Sequence, residues 1–280
     1  MQIDQHSAPD AAPEIVTIPD VLDPARAVAL QVALGQHPTL TEGAELPPFF
    51  HQLYFWKPEP PEHLGRDGHP RLAVTGLIPD LGLPRRMWAG GRLRFERGLK
   101  AGAAAEKRSV LELSARKTGR SGPLGFVTLR HEIWQDGARC LSEWHDLVFR
   151  EDPDPAAEKP VPPQAPQNEL QARQVTFDTT LLFRYSALTF NGHRIHYDLE
   201  YAREVEGYAG LVVHGPLLAQ HLMLLAQELL GPLAEFSFRA TAPLMHFEEA
   251  TLCCKGTELW VRAPDGRQCM QASAVPKGAV

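Results

Sequence analysis

The run PLLAQHLMLLAQELL at residues 216–230 decides the fold of this 280-residue chain. Ten of its fifteen residues are apolar, and they occupy nearly every face of a helix. Such a pattern is typical of a helix that is buried on all sides rather than on one. Pro at its first position and Gly231-Pro232 after its last are ordinary helix boundary signals. The sequence therefore predicts a central helix over Pro216–Leu230 that is wrapped by the rest of the domain.

Most of the other patterned segments predict strands. The expected strands are 110–116, 126–135, 139–149, 179–185, 236–241, 250–255, 259–263 and 268–275. Asp136-Gly137 and Asp265-Gly266 each separate two of them, and Asp-Gly is a strong hairpin signal because both residues tolerate positive φ. A largely antiparallel sheet that curls around one long apolar helix is the hot-dog architecture, of the α+β class.

A proline-rich segment divides the chain. Residues 151–167, EDPDPAAEKPVPPQAPQ, hold six prolines and favour an extended linker between residues 1–150 and residues 168–280. Both parts end in an Asp-Gly hairpin, which favours a tandem (double) hot-dog fold. The first part lacks a counterpart of the polar loop described below, so it is predicted to be a degenerate hot dog that covers the central helix. Shorter helices are expected from Asp23 to Leu34 and over Tyr201–Glu206.

Composition excludes several classes of function. The net charge of −6 without basic runs does not indicate a nucleic-acid partner. The apolar stretches are shorter than the ~20 residues that span a bilayer, so no membrane association is expected. Residues 1–12 lack the apolar core of a secretory signal, and four cysteines do not make a disulfide framework. A cytoplasmic protein with reduced thiols is predicted.

The residues best suited to chemistry lie between positions 191 and 214. They are Asn191, His193, Arg194, His196, Asp198 and His214. Histidine exchanges protons near neutral pH, and the first amides of a helix can stabilise an oxyanion. A metal site at His193, His196 and Asp198 is an alternative, but the spacing matches no metal signature, so no metal is expected. Ordinary polar loop residues are the other alternative.

The same stretch carries a family resemblance. YSALTFNGHRIHYD at 185–198, with VHGPLL at 213–218, resembles the hydratase signature of MaoC-like, R-specific enoyl-CoA hydratases. The match covers roughly residues 175–275. The whole chain, including PRRMWAGG at 84–91, resembles the two-hot-dog subgroup of mesaconyl-CoA and itaconyl-CoA hydratases and mitochondrial 3-hydroxyacyl-thioester dehydratases. The resemblance implies a hydro-lyase that adds water reversibly to a 2-enoyl (or methylene) thioester, with acyl-CoA as its partner, no cofactor and a possible homodimer.

The resemblance also assigns catalytic positions. His196 matches the catalytic histidine of the family, and Gly215 matches the glycine whose N–H binds the thioester oxygen. Asn191 stands where the family usually has its catalytic aspartate, and an amide orients water but does not take its proton. Asp198 is either a replacement carboxylate that orients His196 or the N-cap of the Tyr201 helix.

Candidates for substrate binding follow from the implied ligand, a branched five-carbon dicarboxylyl-CoA such as itaconyl-CoA or mesaconyl-CoA. Its free carboxylate needs a guanidinium, because Arg binds carboxylates in a bidentate way. The candidates are Arg85, Arg86, Arg92, Arg94, Arg184 and Arg194. Arg239 is a candidate for the CoA phosphates, and Tyr185 and His214 for the pocket wall; each of these residues also fits an ordinary surface or packing role.

Two other functions remain open at the level of sequence. A hot-dog thioesterase would need a carboxylate that acts at the carbonyl carbon, and Asn191 does not provide one. A non-catalytic acyl-thioester binding module would fit the loss of the aspartate. The aromatic cluster Phe49, Phe50, Tyr54, Phe55 and Trp56 either lines an acyl tunnel or is core.

Overall fold

A single antiparallel sheet organises the molecule. The computed structural model describes residues 14–72, 76–119, 122–152 and 161–278. The strands of the first half are β1 Val16–Val21, β2 Arg85–Phe95, β3 Ala104–Gly119, β4 Gly122–Gln135 and β5 Ala138–Arg150. Those of the second half are β6 Gln171–Val175, β7 Leu233–Ala240, β8 Ala250–Lys255, β9 Glu258–Arg262 and β10 Gln268–Pro276. Their order in the sheet is β1-β3-β4-β5-β2-β7-β10-β9-β8-β6.

The two halves meet where β2 pairs with β7. Gly90 and Gly91 of β2 pair with Arg239 and Phe238 of β7. A Cβ added at Gly90 would lie 2.5 Å from the carbonyl oxygen of Phe238, and one at Gly91 would lie 2.8 Å from that of Trp144. Both distances are shorter than a real Cβ contact, so the close approach of the strands requires glycine at these positions.

The two predicted Asp-Gly hairpins are confirmed. Asp136 and Gly137 adopt φ of 52° and 71° between β4 and β5, as a two-residue turn with left-handed residues requires. Gly266 has φ of 86° in the longer connection between β9 and β10. The predicted strands other than 179–185 are also present, and several are longer than their sequence patterns indicate.

The central helix is confirmed as α3, Gly215–Leu230, after α1, Pro24–Ala33, and α2, Thr179–Leu188. It lies against strands β7 to β10. Its buried residues are Leu217, Leu218, Ala219, Gln220, Leu222, Met223, Leu225 and Ala226. Gln220 Nε2 donates a hydrogen bond of 2.9 Å to the carbonyl oxygen of Pro48, so the first half contacts this helix.

The predicted strand at 179–185 is wrong, because these residues form helix α2. Asp178 caps the helix: its carboxylate accepts a hydrogen bond of 2.7 Å from the amide of Leu181. The buried residues Leu182, Tyr185 and Ser186 follow the three-and-four spacing of a helix. The cap and this spacing outweigh the strand preference of the Thr, Phe and Tyr side chains in the segment.

Two further sequence predictions concern short segments. The predicted helix Tyr201–Glu206 is a single π-helical turn over Tyr201–Val205. The aromatic residues 49–55 belong to the core, since Phe49, Phe50, Tyr54 and Phe55 are at most 3% exposed. Of the proline-rich segment, residues 153–160 lie outside the described residues, and the division into two domains at that segment stays a prediction.

A polar network lies inside the first half. The Glu143 carboxylate is 2% exposed and accepts a hydrogen bond of 2.8 Å from Gln52 Nε2. It also lies 2.9 Å from His51 Nε2 and 3.0 Å from His145 Nε2. Burial alone would raise the pKa of Glu143, but the charges and hydrogen bonds of His145 and His51 hold it well below its usual range. The network therefore keeps Glu143 ionised.

Replacing Glu143 by Gln is expected to lower the free energy of unfolding by about 1.5–3 kcal/mol, because hydrogen bonds to a buried charge are lost. A group whose folded pKa is depressed stabilises the protein above its unfolded pKa, about 4.5 here. The deficit of Glu143→Gln should therefore be full near pH 7 and shrink as pH falls below about 4.5. Urea denaturation at several pH values measures it; an equal deficit at pH 7 and at the lowest pH would contradict the ionised network.

Candidate active site

His196 has the environment of a neutral general base. It ends the 3-10 turn Arg194–His196 and is 6% exposed. Its Nδ1 lies 2.7 Å from the carbonyl oxygen of Val212, so Nδ1 carries the proton and Nε2 keeps its lone pair. Burial lowers the pKa of His196 to about 4, and the hydrogen bond to Val212 opposes this shift. The imidazole is therefore uncharged at neutral pH and can accept a proton.

The start of α3 lies next to this base. The ring of His214, the residue before the helix, stacks on the ring of His196 with centroids 3.6 Å apart. Gly215 is the first residue of the helix, so its N–H has no partner within the helix. A Cβ added at Gly215 would meet no atom within 4 Å. The helix thus offers a main-chain donor beside open space and close to the imidazole pair.

Helix α2 supplies a third side of the site. Ser186 Oγ lies 2.8 Å from His214 Nε2, and the Tyr185 ring meets the His214 ring edge-on at 5.0 Å. Within the part of the chain that the structure describes, Tyr185 Oη and His214 Nδ1 are buried without hydrogen-bond partners. Burial raises the pKa of Tyr185, so its hydroxyl keeps its proton. Buried polar atoms of this kind are uncommon and often mark a functional site.

Asn191 shapes the loop after α2. Its Oδ1 accepts a hydrogen bond of 3.0 Å from the main-chain amide of His193. The main-chain amide of Asn191 donates one of 2.8 Å to the carbonyl oxygen of Ser186. The side-chain oxygen is therefore engaged within the loop, while the NH₂ group remains a donor. The loop itself holds no carboxylate at the position where the sequence resemblance expects one.

The hypothesis that Asp198 orients His196 is wrong. Asp198 Oδ2 accepts hydrogen bonds of 3.0 and 2.7 Å from Nε and Nη2 of Arg194. Its other oxygen accepts one of 3.0 Å from the amide of Tyr201, which confirms the capping interpretation. The carbonyl of Val212 orients His196 instead.

A loop of the first half docks against the loop that carries His196. The amide of Arg194 donates a hydrogen bond of 2.9 Å to the carbonyl oxygen of Asp67, and its guanidinium donates one of 3.1 Å to that of Arg66. Gly68 has φ of 87°, and a Cβ there would lie 2.0 Å from the carbonyl oxygen of Gly192. This close contact requires glycine and fixes the two loops against each other.

The docked loop brings a carboxylate and another imidazole to the site. Asp67 Oδ2 lies 2.9 Å from His69 Nδ1, and Asp67 Oδ1 accepts a hydrogen bond of 3.1 Å from the amide of His69. The ring of His69 lies 4.4 Å from that of His193, which in turn meets His196 edge-on at 5.3 Å. The structure thus contains a row of four imidazoles, His69, His193, His196 and His214, that ends at the carboxylate of Asp67.

Burial and mutual repulsion keep this row neutral. The pKa of His69 is lowered to about 4 by burial and by Arg86, against the opposing effect of Asp67. The pKa of His193 is lowered to about 2, chiefly by burial, and Asp67 opposes that shift as well. Burial would raise the pKa of Asp67, but its hydrogen bonds with His69 outweigh this and lower it. Asp67 is therefore ionised beside neutral imidazoles.

Comparison with known proteins identifies the family. Residues 49–246 match the family model described as hydroxyacyl-thioester dehydratase type 2. The chain belongs to this family. It is also 43% identical over 241 residues to mesaconyl-C(4)-CoA hydratase of Chloroflexus aurantiacus, with 83% of this chain and 84% of the relative covered.

Solved structures show the same fold. HtdX of Mycobacterium tuberculosis superposes with a TM-score of 0.67 at 17% identity, over 94% of this chain and 100% of that one. A conserved hypothetical protein of the same organism, described as having a double hot-dog fold, superposes with a TM-score of 0.58 at 16% identity, over 95% and 96% of the two chains. The predicted double hot-dog fold is therefore confirmed. Membership of the dehydratase type 2 family confirms the predicted hydro-lyase class, an acyl-thioester hydratase or dehydratase.

The arginines that were candidates for substrate binding differ in their partners and in their exposure. Arg94 forms an exposed ion pair with Glu235, and Arg85 forms a buried one with Glu206. Arg184 and Arg239 are exposed. Arg194 pairs with Asp198, and Arg92 lies over the ring of Trp144. Arg86 differs from all of these, because its charge acts on His69 and His193 within the site.

A metal site was the rival interpretation of the histidines. The trio that this interpretation requires, His193, His196 and Asp198, does not assemble, since Asp198 pairs with Arg194. Among the described residues, the donor atoms of Asp67, His69 and His193 do lie within 4.8 Å of one another. In this trio both carboxylate oxygens of Asp67 already form hydrogen bonds with His69. These bonds account for the short distance between Asp67 and His69.

The residues that the first half contributes to the site, Asp67 and His69, were not predicted from the sequence. The segment Asp67-Gly68-His69-Pro70 holds a carboxylate and an imidazole two residues apart, separated by a glycine that permits a turn. That pattern alone is common in loops.

No helix in the described ranges is long and apolar enough to cross a membrane.

Proposed function

We propose that this protein hydrates mesaconyl-C4-CoA, or catalyses the reverse dehydration. The supporting observation is the 43% identity to a mesaconyl-C(4)-CoA hydratase over most of both chains, together with an imidazole base beside a free helix-start amide. In that substrate the carbon β to the thioester carries a methyl group and a free carboxylate. Hydration at this carbon gives a tertiary 3-hydroxy thioester. Itaconyl-CoA, the other five-carbon candidate, is not favoured by any relative described above.

The reaction begins with water held at His196 Nε2. As the oxygen of water bonds to the β carbon, Nε2 takes one proton, and the π electrons move onto the thioester oxygen. The Gly215 N–H stabilises the negative charge there, a contribution of about 3–4 kcal/mol for one such donor. The α carbon of this enolate then takes the proton back from His196, and the thioester carbonyl reforms. Atoms and charge balance without another reactant, so the reaction needs no cofactor.

The free carboxylate of the substrate requires a cation near the base. Arg86 is the candidate, because it lies on β2 and its charge reaches His69 and His193. Burial lowers the pKa of Arg86, and the Asp67 carboxylate opposes this shift. A bound substrate carboxylate would stabilise the charged guanidinium further. Three of the other candidates are already in ion pairs: Arg194 with Asp198, Arg94 with Glu235 and Arg85 with Glu206.

Steady-state kinetics on two substrates test this assignment. Wild type should hydrate mesaconyl-C4-CoA in preference to crotonyl-CoA, which lacks the carboxylate. Arg86→Gln should lower kcat/KM for mesaconyl-C4-CoA by about 10- to 100-fold, since a hydrogen bond to a charged group is worth about 1.5–3 kcal/mol. Its effect on crotonyl-CoA should be several-fold smaller. Arg92→Gln, on the same strand but exposed over Trp144, is the matched control and should leave both values near wild type.

An equal loss on both substrates would show that Arg86 serves the fold or the base rather than the carboxylate. Absence of mesaconyl-C4-CoA turnover by wild type would overturn the proposed substrate itself. Assembly as a homodimer and a cytoplasmic location both stay predictions.

A further inference from the structure

We propose that Asp67 and His69, from the first half of the chain, take the place of the carboxylate that is missing at position 191. In this proposal Asp67 is a positioning residue that holds His69 in the row of imidazoles leading to His196. The inference rests on the proposed hydratase function and adds a proton-handling pair to its site. It also makes the first half a part of the active site rather than only a cover for α3.

The position of the pair is built into the fold. Arg194, two residues before His196, is bound through its amide to the Asp67 carbonyl and through its guanidinium to the Arg66 carbonyl. The Gly68–Gly192 contact leaves no room for a side chain on Gly68. The loop that carries His196 therefore cannot move relative to Asp67 without breaking these three contacts. A catalytic group and its partners need this kind of rigid support.

The orientation of His69 follows from its two bonds to Asp67. The carboxylate holds Nδ1–H and the main-chain amide of the same residue, so the ring is fixed and presents Nε2 as an acceptor. The same arrangement, a carboxylate that fixes the tautomer of an imidazole, supports the base in hydrolytic triads. Here it fixes an imidazole that touches His193, the neighbour of His196.

The charge that develops during hydration gives the pair its role. When His196 takes the proton of water, a positive charge forms among buried imidazoles, where it costs most without a counter-charge. Asn191 is neutral, and Asp198 is engaged with Arg194. In the described ranges, Asp67 is the carboxylate that contacts this row, through His69. The other titratable or charged groups that face Asp67 and His69 are Arg86, His193, Arg194, His196, Tyr197 and Tyr201. The Arg66 guanidinium pairs with Asp152 instead.

Replacing Asp67 by Asn tests the proposal with little change in shape. The amide oxygen can still accept the Nδ1–H of His69, so the ring stays in place while the charge is lost. A neighbouring charge shifts an imidazole pKa by about 1–3 units, so kcat should fall by about 10- to 100-fold with KM within about threefold of wild type. The imidazoles of the row influence one another's pKa values, so the acid limb of the pH profile of kcat/KM belongs to the row as a whole. It should move to lower pH in this variant, because Asp67 raises the pKa values of His69 and His193.

Glu59→Gln is the matched control. Glu59 forms the same kind of pair, with His63 Nδ1 at 2.9 Å, in a neighbouring segment of the first half. This variant should keep both kcat and the acid limb of wild type. His69→Gln is the second variant; it removes the imidazole, should lower kcat at least as much as Asp67→Asn, and serves if Asp67→Asn does not fold.

Several outcomes would overturn the proposal. If kcat of Asp67→Asn stays within threefold of wild type with an unmoved acid limb, the pair is structural. If wild type loses activity in EDTA and regains it with added Zn²⁺ or Mn²⁺, the Asp67–His69–His193 trio binds metal instead. Failure of the proposed function is distinguishable from both, since it would appear as wild type without hydratase turnover.

Discussion

Replacing His196 by Ala is expected to lower kcat for hydration by about 10²–10⁴-fold, the usual contribution of a general base. The tautomer fixed by Val212 leaves Nε2 as the proton acceptor, and alanine provides none. Binding of the CoA thioester should change little, because the Gly215 amide and Arg86 remain. Steady-state kinetics on mesaconyl-C4-CoA measure the loss, and circular dichroism with thermal denaturation verifies that the variant folds.

His221→Leu is a suitable control for this variant. His221 lies on α3, and its ring meets Phe177 edge-on at 5.4 Å, so it is a histidine with an apolar neighbour rather than a member of the imidazole row. Leucine keeps the volume and should keep kcat. A His196→Ala variant within threefold of wild type would remove His196 from the mechanism and leave His69 or His193 as the base.

The second large effect is expected at Gly215, where proline removes the main-chain donor. Proline is accepted at the first position of a helix, Gly215 does not have positive φ, and its Cβ position is empty of neighbours. His214, with φ of −59° and ψ of 129°, already has the extended backbone that a residue before proline prefers. Gly215→Pro should therefore fold and lose about 10²–10³-fold in kcat through the missing N–H.

Gly215→Ala separates the donor from the space beside it. Alanine keeps the N–H and adds only a methyl group, so it should retain distinctly more kcat than proline does. Equal kcat values for the two variants would indicate that crowding, not the hydrogen bond, causes the loss. Thermal denaturation of both variants should give midpoints close to wild type.

The elements with strong local signals could be predicted from sequence. Helix α3 has apolar residues on nearly every face and clear boundary residues, and Asp136-Gly137 tolerates the left-handed φ of its hairpin. For α2 the local signals conflicted. Its Thr, Phe and Tyr residues favour a strand, whereas the Asp178 cap and the burial of Leu182 and Tyr185 favour a helix. Tertiary packing decided for the helix, and a strand assignment placed Tyr185 on the wrong element.

The sequence predicted only the part of the active site that lies between residues 191 and 215. His196, His214 and Gly215 all lie in the family signature, and they come together because the His196 ring stacks on His214 directly before α3. The carboxylate of the same stretch, Asp198, does not join this row, because it is held by Arg194 and Tyr201. Asp67 and His69 reach the row only through the packing of the two halves, which no local pattern in their own segment records.

The most direct test of the account is the fate of one water molecule. Purified protein is incubated with mesaconyl-C4-CoA in water labelled with heavy oxygen, and the CoA species are analysed by mass spectrometry alongside an assay for free thiol. Addition at the enoyl bond predicts an intact thioester heavier by one labelled water, with loss of the enoyl absorbance and no thiol release. Free CoA together with labelled mesaconate would mean hydrolysis of the thioester, and the account of His196 and Gly215 as a hydratase site would be contradicted.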